Sequence, residues 1–85
     1  MNPNEIVEKG RAIYNNKLKR DLEQKEMGKF VVIDIDSGEY YIDKKSNEAL
    51  KKAKKAKPRG KFYLHRIGYA SAFIFETLLT HESDG

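Results

Sequence analysis

Lys29-Phe30-Val31-Val32-Ile33-Asp34-Ile35, then Asp36-Ser37-Gly38, then Glu39-Tyr40-Tyr41-Ile42-Asp43 is the stretch that decides the fold. Its first segment is dense in β-branched residues, which suit a pleated, half-buried surface. Alternation places Val31, Ile33 and Ile35 on one face with Asp34 opposite. Asp, Ser and Gly supply turn chemistry, and the extended pattern resumes with Tyr40 and Ile42 on one side. The spacing therefore predicts a hairpin over 29–43.

Upstream, Asn2-Pro3-Asn4-Glu5 reads as a helix start, with Asn2 as N-cap, Pro3 at the first helical position and Glu5 reaching back as in a capping box. Ile6, Val7, Ile13, Tyr14, Leu18 and Leu22 recur at helical steps and form one apolar stripe, which predicts a helix over 3–23. Downstream, Ser46 is positioned to cap a helix over 47–57, in which Ala49, Leu50, Ala53 and Ala56 share one side and the lysines take the other. Pro58-Arg59-Gly60 ends that helix. Lys61 to Ile67 reads as a third strand. Residues 69–80 spread their apolar side chains around both a helical and an extended projection. They form either a third helix on the sheet or a strand that pairs with a second chain, and the helix is favoured because Glu76-Thr77-Leu78-Leu79 carries no turn signal.

The expected architecture is thus one α+β domain over residues 1–85. Its order is α-β-β-α-β plus a possible C-terminal helix, with a small three-stranded sheet and the helices on one face. A chain of 85 residues supports one core, and 39% hydrophobic with 35% charged residues suits a folded protein with a modest interior. There is no cysteine, which removes disulfides, thiolate metal sites and thiol nucleophiles together. The N-terminal MNPNEIVEKG carries charges where a signal peptide needs an apolar run, and no segment is apolar enough to span a bilayer. A cytoplasmic protein with no membrane association is the expectation.

A net charge of +4 and a pI near 9.3 favour acidic partners. The charge is concentrated in Lys51, Lys52, Lys54, Lys55, Lys57, Arg59 and Lys61, on one helix face and the loop after it. Such a run can neutralise phosphates with steep salt dependence, and it equally describes a solvated helix face whose last lysines complement the helix dipole. Lys61-Phe62-Tyr63-Leu64-His65-Arg66 interleaves aromatic and basic residues but carries no RNP signature, and Phe62 and Leu64 read as core.

Asp36-Ser37-Gly38 after an apolar strand looks like the signature of retroviral-type aspartic proteases, but Glu39 follows where that family has a small residue, and the same three residues make an ordinary turn. Asp34, Asp36, Glu39 and Asp43 lack EF-hand spacing. His65 and His81 have no partner at zinc spacing, and His65 reads as a strand-packing residue or a surface contact. No catalytic, cofactor or metal residue is assigned.

Gly28-Lys29-Phe30-Val31-Val32-Ile33-Asp34, Gly38-Glu39-Tyr40 and Arg66-Ile67-Gly68-Tyr69 together resemble a group of small, poorly characterised prokaryotic single-domain proteins, over roughly residues 10 to 70. The resemblance implies an N-terminal helix, a hairpin, a second helix and a final Arg-Ile-Gly strand, and an antitoxin-like partner role. The chain departs at Ala72-Phe73-Ile74-Phe75, apolar where a polar tail is expected.

The expected function is a small non-catalytic protein-interaction module, antitoxin-like or regulatory, that binds an unidentified protein partner and forms a homo-oligomer. Tyr69, Phe73, Phe75 and Leu78 are its candidate interface. The alternative is a nucleic-acid-binding accessory protein that uses Lys51 to Lys61. A minimal hydrolase built on Asp36 is the third reading.

Overall fold

A computed structural model describes residues 2–69 and 72–73. Helix α1 spans Pro3–Ile13 and runs through a π-helical turn, Tyr14–Leu18, into α2, Lys19–Lys25. Strands β1 (Phe30–Asp34) and β2 (Tyr40–Asp43) form the hairpin, followed by α3 (Ser46–Ala56), β3 (Phe62–Arg66) and a two-residue β4 (Ala72–Phe73). The α+β class and the order helix-strand-strand-helix-strand stand as expected. The sheet order is β2-β1-β3-β4, and every neighbouring pair is antiparallel. Strand β1 is therefore central, and α3 carries the chain over it from β2 to β3.

The start of α1 is fixed locally. Glu5 N–H donates to Asn2 Oδ1 at 3.0 Å, while Asn2 N–H donates to Glu5 Oε1 at 3.3 Å, a reciprocal capping box. The expected single helix continues to Lys25, but with one wide turn: the amide of Lys19 donates to the carbonyl of Tyr14, one residue further back than α-helical geometry allows. At α3 the cap differs from expectation. Ser46 lies inside the first turn, and Lys45 takes the N-cap position without a side-chain hydrogen bond.

The helices lie on both faces of the sheet, which corrects the one-face arrangement. Val31, Ile33, Ile35, Tyr63 and Ile67 pack with Tyr14 and Leu22, so α1 and α2 cover one side. Val32, Phe62 and Leu64 pack with Ala49 and Ala53, so α3 covers the other. The physical reason is visible in β1, where Val31, Val32 and Ile33 are all fully buried. A continuous apolar run of this kind is the mark of a strand covered twice, whereas a half-exposed strand alternates. Phe62-Tyr63-Leu64 in β3 behaves in the same way.

Helix α1 comes closest to the sheet at Gly10, where a Cβ would overlap the ring of Tyr63. A mid-helix glycine costs about 1 kcal/mol relative to alanine, and close approach to β3 is what it returns.

The favoured terminal helix over 69–80 does not include Ala72 and Phe73, which are extended and pair with His65 and Leu64. Pairing satisfies backbone groups that β3 would otherwise present along an open edge. Of the candidate interface residues, Phe75 and Leu78 lie outside the described residues.

Candidate functional site

The basic stretch is largely engaged within the molecule. Lys52 Nζ lies 3.0 Å from Asp43 Oδ2 and donates to the carbonyl of Ile42 at 2.7 Å. Lys51 stands 3.8 Å from Glu48, Lys57 3.7 Å from Glu39, and Lys61 4.0 Å from Asp36. The Lys52 ammonium holds the Asp43 carboxyl below its usual range, with help from the Lys45 amide. Three of these acids come from the hairpin, so α3 and the loop after it meet the hairpin through charge pairs at their rim. Lys55 and Arg59 have no carboxylate within 4.0 Å among the described residues. A helix face paired in this way presents less net field to a phosphate backbone than its lysine count suggests.

The Asp-Ser-Gly segment forms a closed turn. Gly38 N–H donates to the Asp34 carbonyl at 2.7 Å, and Asp34 N–H donates to the Glu39 carbonyl at 2.8 Å. Gly38 takes a φ of +82°, which only glycine adopts at little cost. The buried Asp34 carboxylate accepts from Ser37 Oγ at 2.8 Å and binds the turn from inside. Asp36, the residue the hydrolase reading needs, is exposed and faces Lys61. Among the described residues no group of three or more His, Cys, Asp or Glu gathers in metal-binding geometry.

The two outer motifs of the resemblance meet in space. Gly28 N–H donates to the Ile67 carbonyl at 2.9 Å, Ile67 N–H donates to the Lys29 carbonyl at 2.8 Å, and Arg66 Nε donates to the Gly28 carbonyl at 3.2 Å. The Arg66 guanidinium lies over the Tyr69 ring at 4.3 Å and over the Phe30 ring at 5.4 Å. Beside it the chain turns at Gly68, with φ +92°. A Cβ there would overlap Met27 Sδ, so Met27 lies across the turn. Met27 is 59% exposed and Tyr69 50%. Two large apolar side chains thus stand in solvent on either side of Gly68. Tyr69 was legible as an interface candidate; Met27 was not, because it reads as punctuation between helix and strand. Phe73 contributes its backbone to β4.

On the α1 face, His65 is buried, as a strand-packing residue should be. Its ring lies 4.2 Å from that of Tyr14 and is stacked 6.0 Å from that of Tyr63. The Tyr14 hydroxyl donates to Glu23 Oε2 at 3.0 Å. Burial and that hydrogen bond push the Tyr14 phenol up to about 12. Burial pushes the His65 imidazole below its ordinary value, opposed by the Glu23 carboxylate. These groups line a cavity of about 200 Å³. The sequence places Tyr14 in the apolar helix stripe and Tyr63 and His65 in an aromatic–basic strand, and periodicity says nothing about which polar tips converge.

Among the described residues, no helix is long and apolar enough to cross a membrane. No family model, no curated protein and no solved structure matches the chain.

Proposed function

We propose that the chain is a small non-catalytic interaction module of the cytoplasm, antitoxin-like or regulatory, which binds a protein partner and forms a homo-oligomer. The observation that carries this reading is the exposed pair Met27 and Tyr69 around Gly68, at the end of the sheet from which the chain leads to β4. Aromatic and methionine side chains held in solvent are enriched at the centres of protein interfaces. Arg66 orders the Tyr69 ring before any partner arrives, which lowers the entropy cost of binding.

The nucleic-acid alternative draws on Lys51 to Lys61 and is weakened by the pairing of Lys51, Lys52, Lys57 and Lys61 with carboxylates. Light scattering at low and high salt, alone and with a short mixed duplex, separates the two. A dimer mass that resists salt, and that falls to the monomer in Met27→Ser/Tyr69→Ser with little change in Tm, is the expected result. A monomer that takes up the duplex only at low salt overturns it in favour of the lysine face.

A further inference from the structure

The cavity between α1, the π turn and β3 holds a polar atom that its own surroundings leave over. His65 Nε2 is buried and has no hydrogen-bond partner among the described residues. The Tyr69 main chain lies near the ring but outside hydrogen-bonding geometry. An unpaired buried donor or acceptor costs about 1–3 kcal/mol, so native structures rarely leave one without a use.

The neighbours determine what this atom offers. The Arg11 guanidinium lies near the Tyr63 hydroxyl, and its positive charge favours the phenol turning its lone pairs toward Arg11 and its proton away. Nδ1 of His65 is 3.4 Å from that hydroxyl and is placed to accept the proton. In a neutral imidazole the remaining proton then sits on Nε2, a buried N–H that has the Tyr69 main chain nearby but makes no hydrogen bond among the described residues. Glu23 is committed to the Tyr14 hydroxyl. The charges around the cavity are Arg11 and Lys19 against Glu23, one positive charge in excess. Its volume is about 200 Å³, and three tyrosines, Tyr14, Tyr63 and Tyr69, line it. The complement is a small body with an oxygen acceptor, a single negative charge and some apolar surface. A phosphate dianion fits less well, since it asks for several donors and would face the Glu23 carboxylate with twice the charge.

We propose that this cavity binds a small organic carboxylate, one oxygen of which accepts the His65 Nε2 proton while its charge faces Arg11 and Lys19. The π turn belongs to the same design, because the wide turn begins at Tyr14, whose ring packs against the imidazole. Such turns recur at functional sites. The inference does not rest on the oligomer reading; Tyr69 lines this cavity too, so Met27→Ser alone, which leaves the lining intact, separates loss of the oligomer from loss of the carboxylate site.

The test is the imidazole NMR spectrum of the full chain, with His81 identified by His81→Gln, titrated separately with acetate, benzoate and inorganic phosphate at constant ionic strength. The His65 ring resonances are expected to shift saturably with benzoate or acetate in the millimolar range or below. Arg11→Gln, an exposed position that leaves the core intact, should weaken that binding about tenfold, the loss of one charge-assisted contact. Lys55→Gln on the opposite side should leave it unchanged. Shifts that stay linear with both carboxylates, saturation with phosphate alone, or equal affinity in Arg11→Gln would each overturn the proposal.

Discussion

The two faces of the sheet are built on different principles. On the α3 side the contact is small and apolar: Ala49 and Ala53 let the helix settle on Val32 and Leu64, and apart from the turn-binding Asp34 the polar groups are kept to the rim as lysine–carboxylate pairs. On the α1 side the interior mixes aliphatic residues with Tyr14, Tyr63 and His65, includes a π turn, and borders a cavity open to solvent past Arg11, Asn15 and Lys19. The first arrangement keeps its layer apolar and its pockets at the edge, one beside residues 56–60 and one beside Lys52. The second accepts a buried imidazole and an irregular helix, costs that a purely structural face would avoid. The two sides of the same three strands thus divide into an apolar layer and a mixed, more polar one.

The sharpest challenge to that division is a truncation on the α3 side. Leu64→Ala should destabilise the fold by about 2–5 kcal/mol in urea unfolding, because it opens a cavity in the apolar layer. A loss below about 1 kcal/mol would mean that this face is not the structural one. Next in size, Gly10→Ala should cost about 1–3 kcal/mol despite its gain in helix propensity, since the new methyl meets the base of the buried Tyr63 ring. An unchanged midpoint would show that α1 can ride away from β3.

His65→Leu sharpens the comparison differently. It replaces an unsatisfied buried ring with an apolar side chain and should be within about 1 kcal/mol of the parent, or more stable. It should also remove a pH dependence. The folded His65 pKa lies below the unfolded value of about 6.5, so the unfolded chain takes up the proton first and stability falls as pH drops from about 6.5 toward the folded pKa. Glu23 opposes the shift, while Lys19 and Arg11 add to it. Denaturation midpoints between pH 7 and 5 should decline in the parent more than in the variant; parallel slopes would place the acid sensitivity elsewhere. Smallest of all, Lys52→Gln should cost no more than about 1 kcal/mol and the difference should shrink in high salt, as for a surface pair.

Much of the fold is legible in the sequence because its signals are local. The capping box at Asn2, the β-branched run at Val31–Ile33, the Asp-Ser-Gly turn and the Pro58 stop each act over a few residues. What was misread depends on distant partners. Whether helices cover one face or two is written in the continuity of Phe30-Val31-Val32-Ile33 and Phe62-Tyr63-Leu64, but a short apolar run is ambiguous until its neighbours are known. Asp34 illustrates the same limit: alternation sends it to the opposite face, where its burial is explained by the turn it ties. The cavity around His65 draws on α1, the π turn, α2 and β3, and no spacing rule links Arg11, Glu23 and His65. The lysine run was plain in sequence, while its carboxylate partners on the hairpin emerge only when α3 crosses β2.

The central place of β1 has a consequence for the order in which the chain can assemble. The hairpin closes through a five-residue connection, and α3 rests against both of its strands, so these three elements form a unit held by short-range contacts. Helix α1 meets the sheet chiefly at β3, the strand made last among the main three, so as the chain leaves the ribosome the first helix to emerge is the one that must wait longest. Until Tyr63 arrives, the apolar stripe of α1 has no wall to rest on. Pulsed amide exchange during refolding should accordingly protect β1, β2 and α3 before α1, and simultaneous protection of all four would argue that the helix docks by another route.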